Sequence, residues 1–271
     1  MLGVLIDQHA GDKGVWTPFF GRLASTTPFP AVLAKKTGAA LMPVSIVTTG
    51  IARWRVEVDD FISSREVSTA EITARINLSL ERQIRKNPSD WFWVHNRWKT
   101  PNPQFLLRQY HRGVYVPSQA KRLKPFRVLI RSSNSLEEAI KSVEAARRIK
   151  RGRPDLVLSV LVIDELAHCW RDVPEVDEVL PIAPGTSVFA VARTIRGRFD
   201  VAILFPCASR SGLEIWLAGI PRRVGFSEPW RDLFVNQIVR QGSRTFPHQR
   251  NEPLRIAERI GADLAEKLPS L

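Results

Sequence analysis

"FRVLIRSSNSLEEAIKSVEAARRIKRGRPDLVLSVLVI", residues 126–163, sets two apolar runs on either side of a charged, alanine-containing stretch. "FRVLIR" (126–131) and "LVLSVLVI" (156–163) have the length and β-branched content of strands. "SLEEAIKSVEAARRIKRG" reads as a helix opened by a capping box, in which Ser135 bonds the Glu138 amide and Glu138 reaches back. Further short apolar runs follow in "DEVLPI" (177–182) and "DVAILF" (200–205), and "SGLEIWLAGI" reads as a helix closed near Gly219. Strands alternating with helices at this spacing predict an α/β fold, a parallel sheet with helices on both faces.

Upstream, the pattern is less regular. "GVLI" (3–6) reads as a buried strand, expected to continue sequence lying before Met1, and it ends in Asp7 and a loop from Gly11 to Gly14. Thr27 is a candidate N-cap with Pro28 at the first helical position and Gly38 as the stop. "ALMPVSIV" (40–47) and "ARWRVEV" (52–58) read as strands around "TTG". "STAE" (68–71) is a second capping box, and behind it Ile72, Ile76, Leu80 and Ile84 mark one helical stripe ended by Asn87-Pro88. Residues 100–125 hold four prolines and little periodicity. The expected organisation is a first α/β unit over 1–103, a linker over 104–125 and a second unit over 126–271.

The 271 residues are 44% hydrophobic, enough for a real core. A net charge of +13 favours anionic partners. Nucleic acid is not expected among them, because no binding-module signature appears and the aromatics do not alternate with basic residues. Two cysteines, Cys169 and Cys207, with no histidine cluster, argue against a disulfide framework or a zinc site. No apolar run approaches the ~20 residues that span a bilayer. "DWFWVHNRWK" (90–99) places three large aromatics beside His95, Arg97 and Lys99, a mixture suited to a surface that is apolar at one end and charged at the other.

Several pieces of the first unit have little reason to occur together in a generic α/β domain. Gly14, "PFFG" (18–21), Ala24, Thr26, Thr27, "LAKKTGAALMPV" and "WFWVHNRWK" together resemble the C-terminal half of the lipid A biosynthesis acyltransferases, over about residues 2–103. The resemblance implies acyl transfer from an acyl carrier protein to a hydroxyl of a lipid A precursor, at the cytoplasmic face of the inner membrane. It also implies an anionic membrane surface as a peripheral partner and no cofactor. Asp7 is expected to bind substrate, Gly11, Gly14 and Gly21 to permit a tight loop, and Phe19 and Phe20 to wall an acyl or glucosamine site. Arg97 and Lys99 are expected to contact lipid phosphate or the acidic carrier protein. The family's base is a histidine with an acidic residue five positions on. That pair is absent here: His9 is followed at that distance by Gly14.

In the second unit, "RVLIRSSNSLEEAIKSVEAARRIK", "VPEVDEVLPI", "FDVAILFPCASRSGLEIWLAGIPRRVGF" and "RDLFVNQIV" resemble, in that order, the N-terminal domain of the lipopolysaccharide heptosyltransferases of glycosyltransferase family 9. That implies a Rossmann-like sheet forming the first half of a two-domain GT-B enzyme, with nucleotide-activated heptose as a substrate. Arg131 and Asn134 are expected to bind substrate, and Glu138 stands at the position of the family's acidic base. Glu137 replaces the family's glycine, and Glu138 is one methylene longer than the usual aspartate. The chain alone is expected to lack parts of both activities. Its alternative readings are a lipid A-binding remnant without turnover, or a glycosyltransferase acting on the lipopolysaccharide core.

Overall fold

The computed structural model describes residues 2–118, 123–205, 209–239 and 251–265. Cys207 lies outside them. Two compact units are present, one of Met1–Pro101 with Tyr110–Lys124, the other of Asn102–Gln109 with Pro125–Leu271. The expected linker is thereby corrected. Phe105, Leu106 and Leu107 are fully buried in the second unit, and the Leu107 amide donates to the Gly152 carbonyl at 2.9 Å. Residues 110–124 join the first unit instead: the Tyr115 amide donates to Trp16 O at 2.8 Å, and the Lys124 amide donates to Gly21 O at 2.8 Å. Three adjacent apolar side chains gain more from burial than a proline-rich stretch gains from remaining free.

The first unit is built on a hairpin that has no sequence signature. Strands β1 (Val15–Phe19) and β2 (Arg22–Thr26) pair antiparallel around Phe20-Gly21. Every residue of β1 is buried, so no alternation marks it, and Pro18 looks like a breaker. Helix α1 (Phe29–Thr37) starts one residue later than the expected Pro28 and is closed by Gly38 at φ 70°. Strands β3 (Val44–Gly50) and β4 (Arg53–Val58) form the hairpin expected around "TTG". Its Val44, Ile46, Trp54, Val56 and Val58 side chains share one face and are all exposed. Helix α2 (Thr69–Lys86) buries Ile72, Ile76 and Ile84 of the expected stripe. Ser68 Oγ accepts from the Glu71 amide at 3.0 Å, while Glu71 bonds Arg75 at 2.6 Å instead of reaching back. The strand expected at 3–6 is not formed: Leu5 is 80% exposed, and no strand among the described residues pairs with it.

The second unit has the expected architecture. Its strands are β5 (Phe126–Arg131), β6 (Leu156–Ile163), β7 (Glu178–Ile182), β8 (Val201–Leu204), β9 (Arg222–Phe226) and β10 (Gln237–Val239). They form one parallel sheet in the order β10-β9-β8-β5-β6-β7. Successive residues of β5 serve opposite faces. Val128 and Ile130 pack with helices α3 (Leu136–Arg151) and α7 (Glu252–Arg259). Leu129 packs with α5 (Val188–Ile195) and α6 (Ser209–Leu217). A four-residue helix, α4 (His168–Arg171), lies between β6 and β7. The second capping box is corrected: Ser135 stands at the N-cap but its side chain makes no cap bond, and Glu138 pairs with Lys141 at 3.4 Å. Among the described residues, no helix is long and apolar enough to cross a membrane.

Candidate functional sites

In the first unit, residues 7–9 meet residues 95–99. The two segments are tied where the His9 amide donates to His95 Nε2 at 3.1 Å. Arg97 is wholly buried. Its guanidinium donates to the Ser25 carbonyl, to Thr26 Oγ1 at 2.7 Å and to Asn77 Oδ1 at 3.5 Å. Asn77 in turn donates to Thr26 Oγ1 at 2.9 Å, so α2, β2 and the segment after α2 are locked together. Burial lowers the pKa of Arg97 to about 10, and the nearby Asp7 carboxylate opposes that shift. The expectation that Arg97 meets an outside phosphate is therefore corrected. Ser25, Thr26 and Asn77 supply it with acceptors inside the unit, and its charge is directed inward. Lys99 is exposed.

Three buried polar atoms in this cluster have no hydrogen-bond partner among the described residues: Asp7 Oδ1, His9 Nδ1 and Arg97 Nε. Buried polar groups are seldom left so, and two of these can accept from a ligand hydroxyl. Burial, chiefly, holds His9 below its ordinary value; the charges of Arg97, Lys99 and His95 add to this, and a hydrogen bond to the Arg97 backbone opposes it. The folded chain thus keeps the imidazole neutral where the unfolded chain, near 6.5, takes up a proton. The unfolded state then binds more protons, so stability is whole above that pH and falls as pH drops through it. Denaturation between about pH 7 and 5 is expected to show this loss, and His9→Gln to flatten that part of the profile.

The loop glycines differ in their reasons. Gly14 has an ordinary φ of −80°, but an added Cβ would lie 2.1 Å from Ser25 Oγ and 3.0 Å from the Thr26 amide nitrogen. Gly14→Ala is expected to cost about 1–3 kcal/mol in a urea melt, the scale of overpacking. Gly21 sits at φ 76° in the β1–β2 turn and does require that freedom. Phe19 is fully buried, ringed by Phe20 at 4.9 Å, Trp98 at 5.7 Å and Trp91 at 5.9 Å. It anchors the core; Phe20 is half-exposed beside it.

In the second unit a cavity of about 260 Å³ opens at the carboxyl ends of β5, β6 and β7. The chain reverses its order across the sheet at β5, and open α/β sheets bind ligands at that crevice. Arg131 and Asn134, both expected substrate contacts, line it together with Glu165, Thr186, Arg210 and Glu214. Arg131 and Glu214 form an ion pair at 3.0 Å, their side chains 4% and 1% exposed. Arg131 also donates to Asn134 Oδ1 at 3.3 Å. Arg210 pairs with the other Glu214 oxygen at 3.3 Å and donates to the Thr186 carbonyl. Glu138 is not among the lining residues. It stands on the first turn of α3 near Glu252, whose carboxyl is raised first by burial and then by Glu228 and Glu138.

The comparisons divide along the same chain. Residues 1–100 match the family of bacterial lipid A biosynthesis acyltransferases. A lipid A biosynthesis palmitoleoyltransferase of Escherichia coli K12 is 29% identical over 97 residues, 35% of this chain and 32% of that protein. The chain thus spans about a third of the length of the curated relatives it matches. Among solved structures, E. coli ADP-heptose lipopolysaccharide heptosyltransferase II is similar at 20% identity and TM-score 0.42, covering 50% of this chain and 41% of that one. A glycosyltransferase family 9 protein from Veillonella parvula DSM 2008 is similar at 18% identity and TM-score 0.47, covering 55% and 45%. The His9–His95 bond, Asn77 and the Arg210–Glu214 pair escaped sequence reading. Each depends on contacts more than three residues apart, and only the Arg210-to-Glu214 helical spacing leaves a trace in the sequence.

Proposed function

We propose that this chain serves lipopolysaccharide assembly as a fusion of two binding units, the first taking the sugar head of a lipid A precursor and the second a sugar substrate. The first assignment rests on one observation: residues matching the acyltransferase family bring Asp7, His9 and Lys99 to the same cluster, where Asp7 Oδ1 and His9 Nδ1 are buried with no hydrogen-bond partner among the described residues. Sugar hydroxyls satisfy such acceptors, and Lys99 supplies a point charge for the precursor's phosphate. In the second unit, the cavity carrying Arg131 and Asn134 supports the heptosyltransferase-like reading.

Acyl transfer from an acyl carrier protein thioester needs a base oriented by a carboxylate. None of the five histidines has Asp or Glu five positions on. The proposal is accordingly binding, without acyl turnover by residues 1–271 alone, at the cytoplasmic face of the inner membrane. Glu138 takes no catalytic part in it. Photo-crosslinking with a lipid A precursor bearing a diazirine on its sugar head tests the first assignment. Label recovered on residues 7–14 or 95–99 is expected; label confined to the second unit contradicts it.

A further inference from the structure

The β1–β2 turn holds a bulky residue where one is rarely tolerated. Phe20 lies at φ 51° and Gly21 at φ 76°, both central residues of a two-residue hairpin loop. Such turns favour Asn, Asp or Gly at the first of these positions, and a phenylalanine there is strained. The surroundings hold it in place. The Phe20 amide donates to Glu81 Oε1 at 2.6 Å, Arg85 lies 4.7 Å over its ring, and Trp93 and Trp98 approach at 6.0 and 6.4 Å. What this strain secures is aromatic surface at an exposed corner. Beyond it Phe92, Trp93 and Val94 stand 68%, 51% and 84% exposed on consecutive residues.

Charge surrounds this apolar corner. Arg22 leaves the turn exposed, and Arg85 is exposed on the last turn of α2. Lys86 ends that helix two residues before Pro88, whose carbonyl accepts from Trp93 Nε1 at 2.7 Å. Exposed Lys124 is tied by its amide to Gly21. The acids nearby are engaged: Glu81 holds Phe20 and faces Arg85 at 3.6 Å, and Asp90 accepts from the Thr48 amide at 2.9 Å. The β3–β4 face is apolar too, but the chain leaves it through exposed Asp60 and through Asp59, which already holds Arg82 at 2.6 Å.

We infer that the Phe20 turn and Phe92–Val94 form a wedge that enters the interface of an anionic lipid bilayer, with Arg22, Arg85, Lys86 and Lys124 on the headgroup phosphates. Protruding aromatics ringed by cations suit the boundary between acyl chains and headgroups better than the flat, acidic face of a soluble protein. The inference stands independently of the ligand proposed for the first unit, since it needs no lipid A.

Co-sedimentation of the full chain with phosphatidylcholine vesicles, with and without phosphatidylglycerol, tests it. Binding is expected only with phosphatidylglycerol and is expected to weaken in salt, because exposed charges are screened over ~8 Å. Lys86→Glu with Lys124→Glu should weaken it by roughly 25-fold or more, at about fivefold for each cation lost. Phe92→Ser with Val94→Ser should weaken it by about tenfold. Both pairs are exposed, and an unchanged circular dichroism melt confirms folding. Ile46→Ser with Val56→Ser, on the β3–β4 face, should leave binding intact. Equal binding to neutral vesicles, no loss with either wedge pair, or loss with the β3–β4 pair overturns the inference. So does failure to bind any vesicle while an acidic carrier protein still binds.

Discussion

Glu214→Leu is expected to cost the second unit about 3–5 kcal/mol, because it leaves the Arg131 guanidinium buried without its counter-charge. Glu214 is 1% exposed and serves two arginines, one on each carboxylate oxygen. Arg210 can turn to solvent when the carboxylate goes, being half-exposed already; Arg131 cannot. Arg131→Met combined with Glu214→Leu should recover most of the loss, since replacing both members of a buried pair by apolar groups is often nearly neutral. Urea denaturation of the two single variants and the double variant forms a cycle that isolates the pair. Additive losses would show that the two residues stabilise the unit separately.

Arg97→Met should be the more damaging change in the first unit, at about 3 kcal/mol. The Ser25 carbonyl, Thr26 Oγ1 and Asn77 Oδ1 each lose a charged donor in a place water does not reach. Arg97→Lys restores the charge but not the fork, and one ammonium group cannot meet acceptors on both β2 and α2 with the same geometry. It should recover only part of the loss. Fluorescence of Trp91 and Trp98, which pack on Phe19 next to Arg97, reports the transition. Full stability of Arg97→Met would return Arg97 to the surface role expected from its place beside Trp93 and Lys99.

The second unit was the more legible, and the reason is local. Its strands are short apolar runs between helices, so the sequence period and the burial agree at β5, β6 and β8, while β7, at the sheet edge, forms where expected but is only half-buried. β9 escaped because "RRVGF" opens with two arginines: Arg223 donates to the Phe234 and Ile220 carbonyls, and Arg222 lies over the Phe105 ring. In the first unit the motifs were readable and the structure they make was not. "PFFG" gave the turn no direction, because a phenylalanine at positive φ is held by Glu81, 61 residues away. Arg97 looked like a surface cation because one-dimensional context shows its aromatic neighbours but not the acceptors on β2. The stretch 104–125 looked like a linker because prolines hide that Phe105 and Leu106 belong to a core assembled mostly from residues beyond 126, with Leu107 buried beside them in sequence.

Titration of the full chain with a tetraacylated lipid A precursor in mixed detergent micelles, followed by isothermal calorimetry, tests the first unit's proposed role most directly. Saturable binding is expected, weakened about tenfold or more by Asp7→Asn and by Lys99→Glu, with phosphatidylglycerol failing to compete for the sugar-specific part. Absence of saturable binding, or binding that phosphatidylglycerol displaces completely and neither substitution alters, would contradict it.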